Sequence, residues 1–168
     1  SMRRGKDGEH IRKLITTLRS EIKDLALRTT VMVGYPGESD DAFGELLDFV
    51  KETRFDRLGG FTYSQEEGTP AVPLGDPIPE GIKARRLEAI MAAQREISLE
   101  KNEALIGTKQ RVLIDAYDKL SGDSYGRTYR DSPDIDNRVI IPREMKKGQF
   151  VDVEITDAVD YDLLGDVE

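Results

Sequence analysis

The stretch LRTTVMVG, Leu27–Gly34, decides the fold of the first half of this chain. Nearly every position is β-branched or apolar, which is typical of a strand covered on both faces, as in a parallel sheet. Pro36 and Gly37 then break the strand, and Ser39 can cap a helix whose first turn begins with Asp40. A buried strand that runs directly into a capped helix predicts a βα unit.

The segments on either side extend this pattern into an α/β domain. An apolar stripe recurs at helical spacing from Ile11 to Ile22, and Leu58–Ser64 has the pattern of a second strand. Helix, strand, helix and strand together are typical of a piece of a parallel α/β sheet or barrel. Two parallel strands cannot cover their own edges, so we expect residues 1–78 to be the C-terminal part of a longer α/β domain.

The second half of the chain changes to short β patterns. Chain breakers fill residues 65–79, and a long helix is predicted over about residues 80–105, ended by Gly107. Five short strands then follow, and they are predicted to pair antiparallel in a small OB-like barrel. Their predicted ranges are 110–117, 125–129, 138–141, 150–155 and 160–164. The predicted domains are therefore an α/β part over 1–78, a connecting helix over 79–107 and an all-β barrel over 108–168.

Composition excludes several kinds of chemistry. The sequence has no cysteine, so it cannot form a disulfide, ligate an iron–sulfur cluster through thiolates or use a thiol nucleophile. Its single histidine, His10, allows neither a histidine-based triad nor an ordinary zinc site. These absences predict no metal ligand in this chain and identify no catalytic residue in it.

Charge and hydropathy point to an acidic cytoplasmic protein. The formal net charge is −8, which argues against a general nucleic-acid binder because phosphate contacts need clustered Lys and Arg. No apolar run approaches the length needed to span a membrane, and no signal-peptide pattern opens the sequence. We expect a cytoplasmic monomer with no membrane contact.

Three segments are candidates for binding. VGYPGE, residues 33–38, ends a buried strand, where ligands bind in parallel α/β folds, and its glycines would let the backbone approach a ligand. FTYSQEEGTPA, residues 61–71, leaves the second strand at the same end. GRTYRDSPDIDN, residues 126–137, carries three aspartates in one loop of the barrel. Each has an ordinary structural alternative: a tight βα turn, a solvated polar loop and a hairpin connection rich in turn formers.

The order of these segments resembles one enzyme family. VGYPGE, FTYSQEEGTPA, the helix with KARR and MAAQREIS, GRTYRDSPDIDN and ITDAVDYDLLG together resemble the C-terminal part of a radical-SAM methylthiotransferase. The type in question methylthiolates an aspartate of a small-subunit ribosomal protein. The resemblance covers essentially the whole chain. It implies the end of a partial TIM-like barrel followed by a TRAM domain.

The resemblance also implies cofactors that this chain alone cannot hold. Members of the family use S-adenosyl-L-methionine and two 4Fe–4S clusters held by cysteines, which this sequence lacks, so the chain is predicted to be inactive alone. The resemblance implies that the strand-end segment lies beside the adenine of S-adenosyl-L-methionine, at positions that match Val33, Gly34, Pro36 and Gly37. It also implies that a basic segment lies near the same cofactor, at a position that matches Arg3 or Arg4.

Charge helps to choose the substrate within this family. Residues 108–168 contain nine Lys and Arg against fourteen Asp and Glu, a net charge of −5, which favours a basic ribosomal protein over RNA. The candidate substrate contacts are Arg127, Asp131, Asp134 and Asp136, and the alternative role of the three aspartates is turn capping. Two other functions stay open: a methylthiotransferase acting on tRNA adenosine, and a non-catalytic TRAM module that binds RNA or protein.

Overall fold

A computed structural model describes residues 8–133 and 135–167 of the chain. The chain divides into two compact units, one reaching to Leu87 and the other beginning at Glu88, so the division falls within the longest helix. The domain boundaries predicted from the sequence treat that helix as a separate connector, and they remain a prediction. The elements, in chain order, are α1 (Gly8–Glu21), β1 (Arg28–Val33), α2 (Asp40–Thr53), β2 (Arg57–Thr62), a 3-10 helix (Val72–Leu74), α3 (Glu80–Glu103), β3 (Lys109–Asp118), β4 (Asp123–Arg127), β5 (Val139–Ile141), β6 (Phe150–Ala158) and β7 (Leu163–Asp166).

The first unit contains the predicted βαβ arrangement. β1 and β2 pair in parallel, from Arg28 opposite Arg57 to Val33 opposite Thr62. The side chain of Ser39 accepts a hydrogen bond from the backbone N–H three residues later, at 3.1 Å, so the predicted helix cap is confirmed. Because the two strands run in the same direction, their carboxyl ends lie side by side and bring the segments that follow them to one edge of the sheet.

The burial of β1 differs from the sequence prediction. Val33, at the end of the strand, is fully buried, whereas Arg28 and Thr30 near its beginning are exposed. The expectation of a strand covered on both faces was therefore wrong for its first half. A sheet of two strands gives each residue fewer neighbours than the centre of a full parallel sheet does, so the amino end of the strand stays open to water.

The second unit contains a closed barrel of five strands in the order β3-β4-β5-β7-β6. All neighbours are antiparallel except β5 and β7, which are parallel. The predicted all-antiparallel barrel was wrong in this respect, for a topological reason. An odd number of strands cannot close into a ring in which every neighbour is antiparallel, so one parallel pair is required.

The core of the barrel comes from alternate positions on its strands. These side chains point inward while the residues between them face outward, as the two-residue period of a strand requires. The fully buried members are Val112, Ile114, Val139, Ile141, Val153, Ile155 and Leu163. Among the described residues, no helix combines the length and the apolar composition that a membrane-crossing segment needs.

Candidate functional site

The end of β1 is a tight turn built around two glycines. Val33 and Gly34 are buried, and Gly37 is exposed. Gly34 and Gly37 have φ angles of 80° and 92°, which side chains other than that of glycine rarely allow. The backbone N–H of Gly34 donates to Oε1 of Glu38 at 3.0 Å, so the turn is closed by its own acidic residue. The predicted contact residues from Val33 to Gly37 therefore form one compact strand end.

Lys83 in the second turn of α3 is the central cation of this region, and its side chain is fully buried. Its Nζ donates to the backbone oxygen of Tyr63 at 3.0 Å and to carboxylate oxygens of Asp76 and Glu80, both at 2.6 Å. The hydrogen bonds to Asp76 and then Glu80 raise the pKa of Lys83, against the opposing effect of burial. Lys83 thus ties the end of β2, the following loop and the start of α3 together.

Arg86, one turn further along α3, fixes the beginning of α2. Its guanidinium donates to Oε1 of Glu38 and to Oδ1 of Asp40, both at 2.7 Å, and it lies 5.4 Å from the ring centre of Phe43. Glu38 therefore bridges Arg86 and the backbone of Gly34 through one carboxylate oxygen. A charged pair with these hydrogen bonds is more rigid than an exposed ion pair.

Tyr63, which directly follows β2, carries a buried hydroxyl that lacks a hydrogen-bond partner among the described residues. The side chain is only 5% exposed, and its hydroxyl forms no hydrogen bond. Its ring meets that of Tyr35 edge to face, with centres 5.3 Å apart. Burial, and then the negative charge of Asp76, raise the pKa of Tyr63. A buried hydroxyl without a partner is uncommon and fits a ligand that carries a hydrogen-bond acceptor.

Two carboxylates of the aspartate-rich loop between β4 and β5, those of Asp131 and Asp136, accept hydrogen bonds within the loop. Oδ2 of Asp131 accepts from the backbone N–H and the hydroxyl of Thr128, at 3.1 and 2.6 Å. Oδ2 of Asp136 accepts from the backbone N–H of Ser132 at 2.6 Å. These contacts agree with turn capping, the alternative role predicted for these aspartates. The role of Asp131 and Asp136 in substrate binding stays a prediction.

The remaining predicted site residues lie elsewhere. Arg127 forms an ion pair with Asp115 on the neighbouring strand β3. Asp134, and the predicted cofactor contacts Arg3 and Arg4, lie outside the described residues. Sequence reasoning missed Lys83 and Arg86, because KARR at the start of a helix has the composition of a solvated face. The only sequence signal for Lys83 is the set of acidic residues shortly before it.

Comparison with known proteins agrees with the barrel and with the segment order. Residues 106–167 match the TRAM domain family. Proteins named ribosomal protein uS12 methylthiotransferase RimO match 98–99% of the chain, with 46% identity in Chloroherpeton thalassium, 47% in Aquifex aeolicus and 43% in Geobacter sulfurreducens. The chain is therefore similar to RimO proteins over nearly its whole length. The family predicted from the order of the sequence motifs, and its TRAM barrel, are thereby confirmed.

The similarity to RimO covers nearly all of this chain but only part of each relative. The chain spans about two fifths of the length of the curated relatives that it matches. It covers 39% of the Chloroherpeton thalassium protein, 39% of the Aquifex aeolicus protein and 38% of the Geobacter sulfurreducens protein. The described residues contain no group of three or more His, Cys, Asp or Glu side chains that could hold a metal ion, and the whole sequence lacks cysteine. The residues of this chain therefore do not fit the ligand sets of iron–sulfur clusters.

Proposed function

We propose that this chain is the C-terminal portion of a radical-SAM methylthiotransferase that methylthiolates an aspartate of ribosomal protein uS12. The observation that carries the proposal is 43–47% identity to RimO proteins over 98–99% of the chain. The TRAM match over residues 106–167 supports the assignment to a C-terminal portion. An enzyme that modifies a ribosomal protein is expected in the cytoplasm. We also expect the protein to be a monomer.

We also propose that the strand end of the first unit contributes to the binding of S-adenosyl-L-methionine. The cofactor would supply the radical chemistry of the reaction. Support comes from the position of Val33–Gly37 at the carboxyl end of β1. Further support comes from the buried Tyr63 hydroxyl, which has no hydrogen-bond partner among residues 8–133 and 135–167. The two 4Fe–4S clusters would be held by a part of the enzyme outside this sequence.

The barrel would recognise the basic protein substrate through its acidic character. Residues 108–168 carry a net charge of −5, and a ribosomal protein of opposite charge would be drawn to this surface. Electrostatic attraction of this kind raises the association rate and disfavours an RNA partner, whose phosphates carry the same sign of charge. We include Arg127, Asp131, Asp134 and Asp136 in the proposed contact region.

Direct binding measurements separate the proposed substrate from its alternatives. We expect the chain to bind purified uS12 with an affinity that falls as salt rises, and to bind tRNA weakly or not at all. Titration of each partner by fluorescence anisotropy at two salt concentrations provides the test. Tight tRNA binding together with no uS12 binding would instead support the tRNA adenosine enzyme.

The role of the loop can be tested without breaking its hydrogen bonds. Changing Asp131, Asp134 and Asp136 together to Asn removes three charges but keeps an acceptor oxygen at each position. We expect uS12 binding to weaken several-fold at low salt and less at high salt, since a surface ion pair typically contributes about 0–1 kcal/mol. A matched control on β6, with Asp152→Asn, Glu154→Gln and Asp157→Asn, changes the net charge equally. Equal effects of both sets would assign the attraction to the whole barrel rather than to the loop.

The proposal of an incomplete active site has its own test. After reconstitution with iron and sulfide, this chain alone should not cleave S-adenosyl-L-methionine, because it has no cysteine to hold a cluster. Chromatographic detection of 5′-deoxyadenosine above the level of a protein-free control would contradict this expectation.

A further inference from the structure

A groove of about 430 Å³ opens on the side of the barrel, between β3, β4 and the loop that joins β4 to β5. Its lining includes Asp115, Tyr125, Arg127, Asp136, Asn137 and Arg138, so it carries two carboxylates and two guanidiniums. In barrels of the OB type, the face of the second and third strands is the usual ligand-binding surface. β4 and β5 are the second and third strands of this barrel, so the groove lies beside the face on which such barrels bind ligands.

Asn137, one of the residues that line the groove, carries a buried hydrogen-bond donor without a partner among the described residues. Its side chain is only 9% exposed, and its Nδ2 has no hydrogen-bond partner among the described residues. Most buried amides are paired, because a buried donor without an acceptor loses the hydrogen bonds that water would provide. An acceptor atom brought by a ligand would restore that bond.

The charges and partners of the other polar groups that line the groove indicate which kind of ligand it can bind. Arg127 is paired with Asp115, and the guanidinium of Arg138 lies 5.3 Å from the ring centre of Tyr125, so both guanidiniums already have partners. The side chain of Asp115 is still 40% exposed and can face a further cation. A lining with balanced charges and an exposed carboxylate suits a neutral acceptor beside a cationic side chain better than it suits a phosphate.

We propose that this groove holds an extended segment of the basic protein substrate, with Nδ2 of Asn137 donating to a backbone carbonyl and Asp115 facing a Lys or Arg of that segment. The inference rests on the proposed function, which supplies a basic protein partner. Every residue of an extended segment presents a carbonyl, so a segment of any sequence can make the Asn137 contact. The Asp115 contact then selects a cationic side chain, and the net charge of −5 of residues 108–168 favours the approach of such a segment.

The variant Asn137→Leu separates binding from folding, because leucine has nearly the shape of asparagine but no donor. Since Nδ2 has no partner among the described residues, the melting temperature should stay the same or rise. The affinity for purified uS12, measured by titration calorimetry with the 168-residue chain, should fall about fivefold or more, the loss expected for one buried hydrogen bond. Asp115→Asn should weaken binding mainly at low salt.

Ser124→Ala is the matched control. Its buried hydroxyl donates to the backbone oxygen of Arg143 at 2.8 Å and accepts from the backbone N–H of Met145 at 2.9 Å. This variant should lower the melting temperature and leave uS12 affinity unchanged, which is the opposite pattern to that of Asn137→Leu.

The possible outcomes distinguish this inference from the proposed function. If the wild-type chain does not bind uS12, the proposed function fails and the inference falls with it. If the wild type binds uS12 but Asn137→Leu binds equally well, or loses stability, only the groove assignment is overturned. Binding of a single-stranded RNA oligonucleotide that depends on Asn137, without such dependence for uS12, would assign the groove to RNA and overturn the protein segment.

Discussion

The side chain of Lys83 fills the space that a side chain on Gly34 would need. An ideal Cβ built on Gly34 would lie 2.5 Å from Cγ and 2.7 Å from Cδ of Lys83. Long side chains can often move aside, but the ammonium of Lys83 is held by a backbone oxygen and two carboxylates. The glycine is therefore required by a buried lysine as well as by its own positive φ angle.

Gly34→Ala should destabilise the first unit more than Gly37→Ala does. Both residues have positive φ angles, which cost an alanine about 1–2 kcal/mol. Only at Gly34 does the new methyl group also collide with a pinned side chain, and overpacking adds about 1–3 kcal/mol. Urea unfolding of both variants measures the difference. Equal losses of unfolding free energy would show that Lys83 moves aside freely.

Alkaline pH should weaken the fold through Lys83. A lysine whose pKa is raised by folding contributes its full stability below the pKa of the unfolded chain, about 10.4, and loses it as pH rises through the higher folded value. The free energy of unfolding should therefore decline above about pH 10. Lys83→Met should be less stable at pH 7 and should show a shallower decline. An unchanged slope in this variant, measured in urea at several pH values, would rule out Lys83 as the source.

Tyr63→Phe should leave stability at pH 7 unchanged or raise it. The hydroxyl that this change removes is buried and makes no hydrogen bond among the described residues, so no bond is lost. The raised pKa of Tyr63 contributes to the alkaline decline with the same sign as Lys83, because the unfolded chain loses its phenolic proton first. The variant should therefore decline less steeply above about pH 10. A clear loss of melting temperature at pH 7 would indicate a partner for the hydroxyl.

Gly126→Ala should disrupt the barrel. A Cβ at this position would lie 2.5 Å from Cγ1 of Val112 and 2.6 Å from the backbone oxygen of Leu113, and a strand backbone cannot give way as a side chain can. We expect a loss of about 3 kcal/mol or more, at the upper end of overpacking effects. Gly44→Ala, on α2 with open space around its Cα, is the control and should gain about 0.5–1 kcal/mol. Thermal unfolding of both variants provides the comparison.

Two substitutions of Asp131 should separate capping from charge. Asp131→Asn keeps an acceptor for Thr128 and should change stability little, whereas Asp131→Ala removes two hydrogen bonds and should cost about 1–3 kcal/mol. If uS12 affinity falls equally in both variants, the carboxylate charge acts on the substrate. If it falls only with alanine, the residue acts by holding the loop in shape.

Local patterns were enough to predict most elements of the fold. The parallel pair β1–β2, the Ser39 cap and the five strands of the barrel follow from hydrophobic period, capping residues and turn residues, which act over a few neighbours. The parallel pairing of β5 with β7 was missed. The direction in which two strands of a closed barrel pair depends on the total number of strands in the barrel. The sequence of one strand does not contain that information.

The features of the candidate site also fall into those that the sequence predicts and those that it does not. The sequence by itself determined the family resemblance, the strand end at Val33–Gly37 and the acidic loop of the barrel, because each depends on residues that are adjacent in the sequence. Only the tertiary structure decided that Lys83 is buried, since one of its acceptors is the backbone oxygen of Tyr63, twenty residues away. Likewise, only the closed barrel leaves Nδ2 of Asn137 buried, with no hydrogen-bond partner in the part of the chain that the structure describes. Burial of a polar group depends on which distant segments surround it, and that is fixed by packing rather than by local sequence.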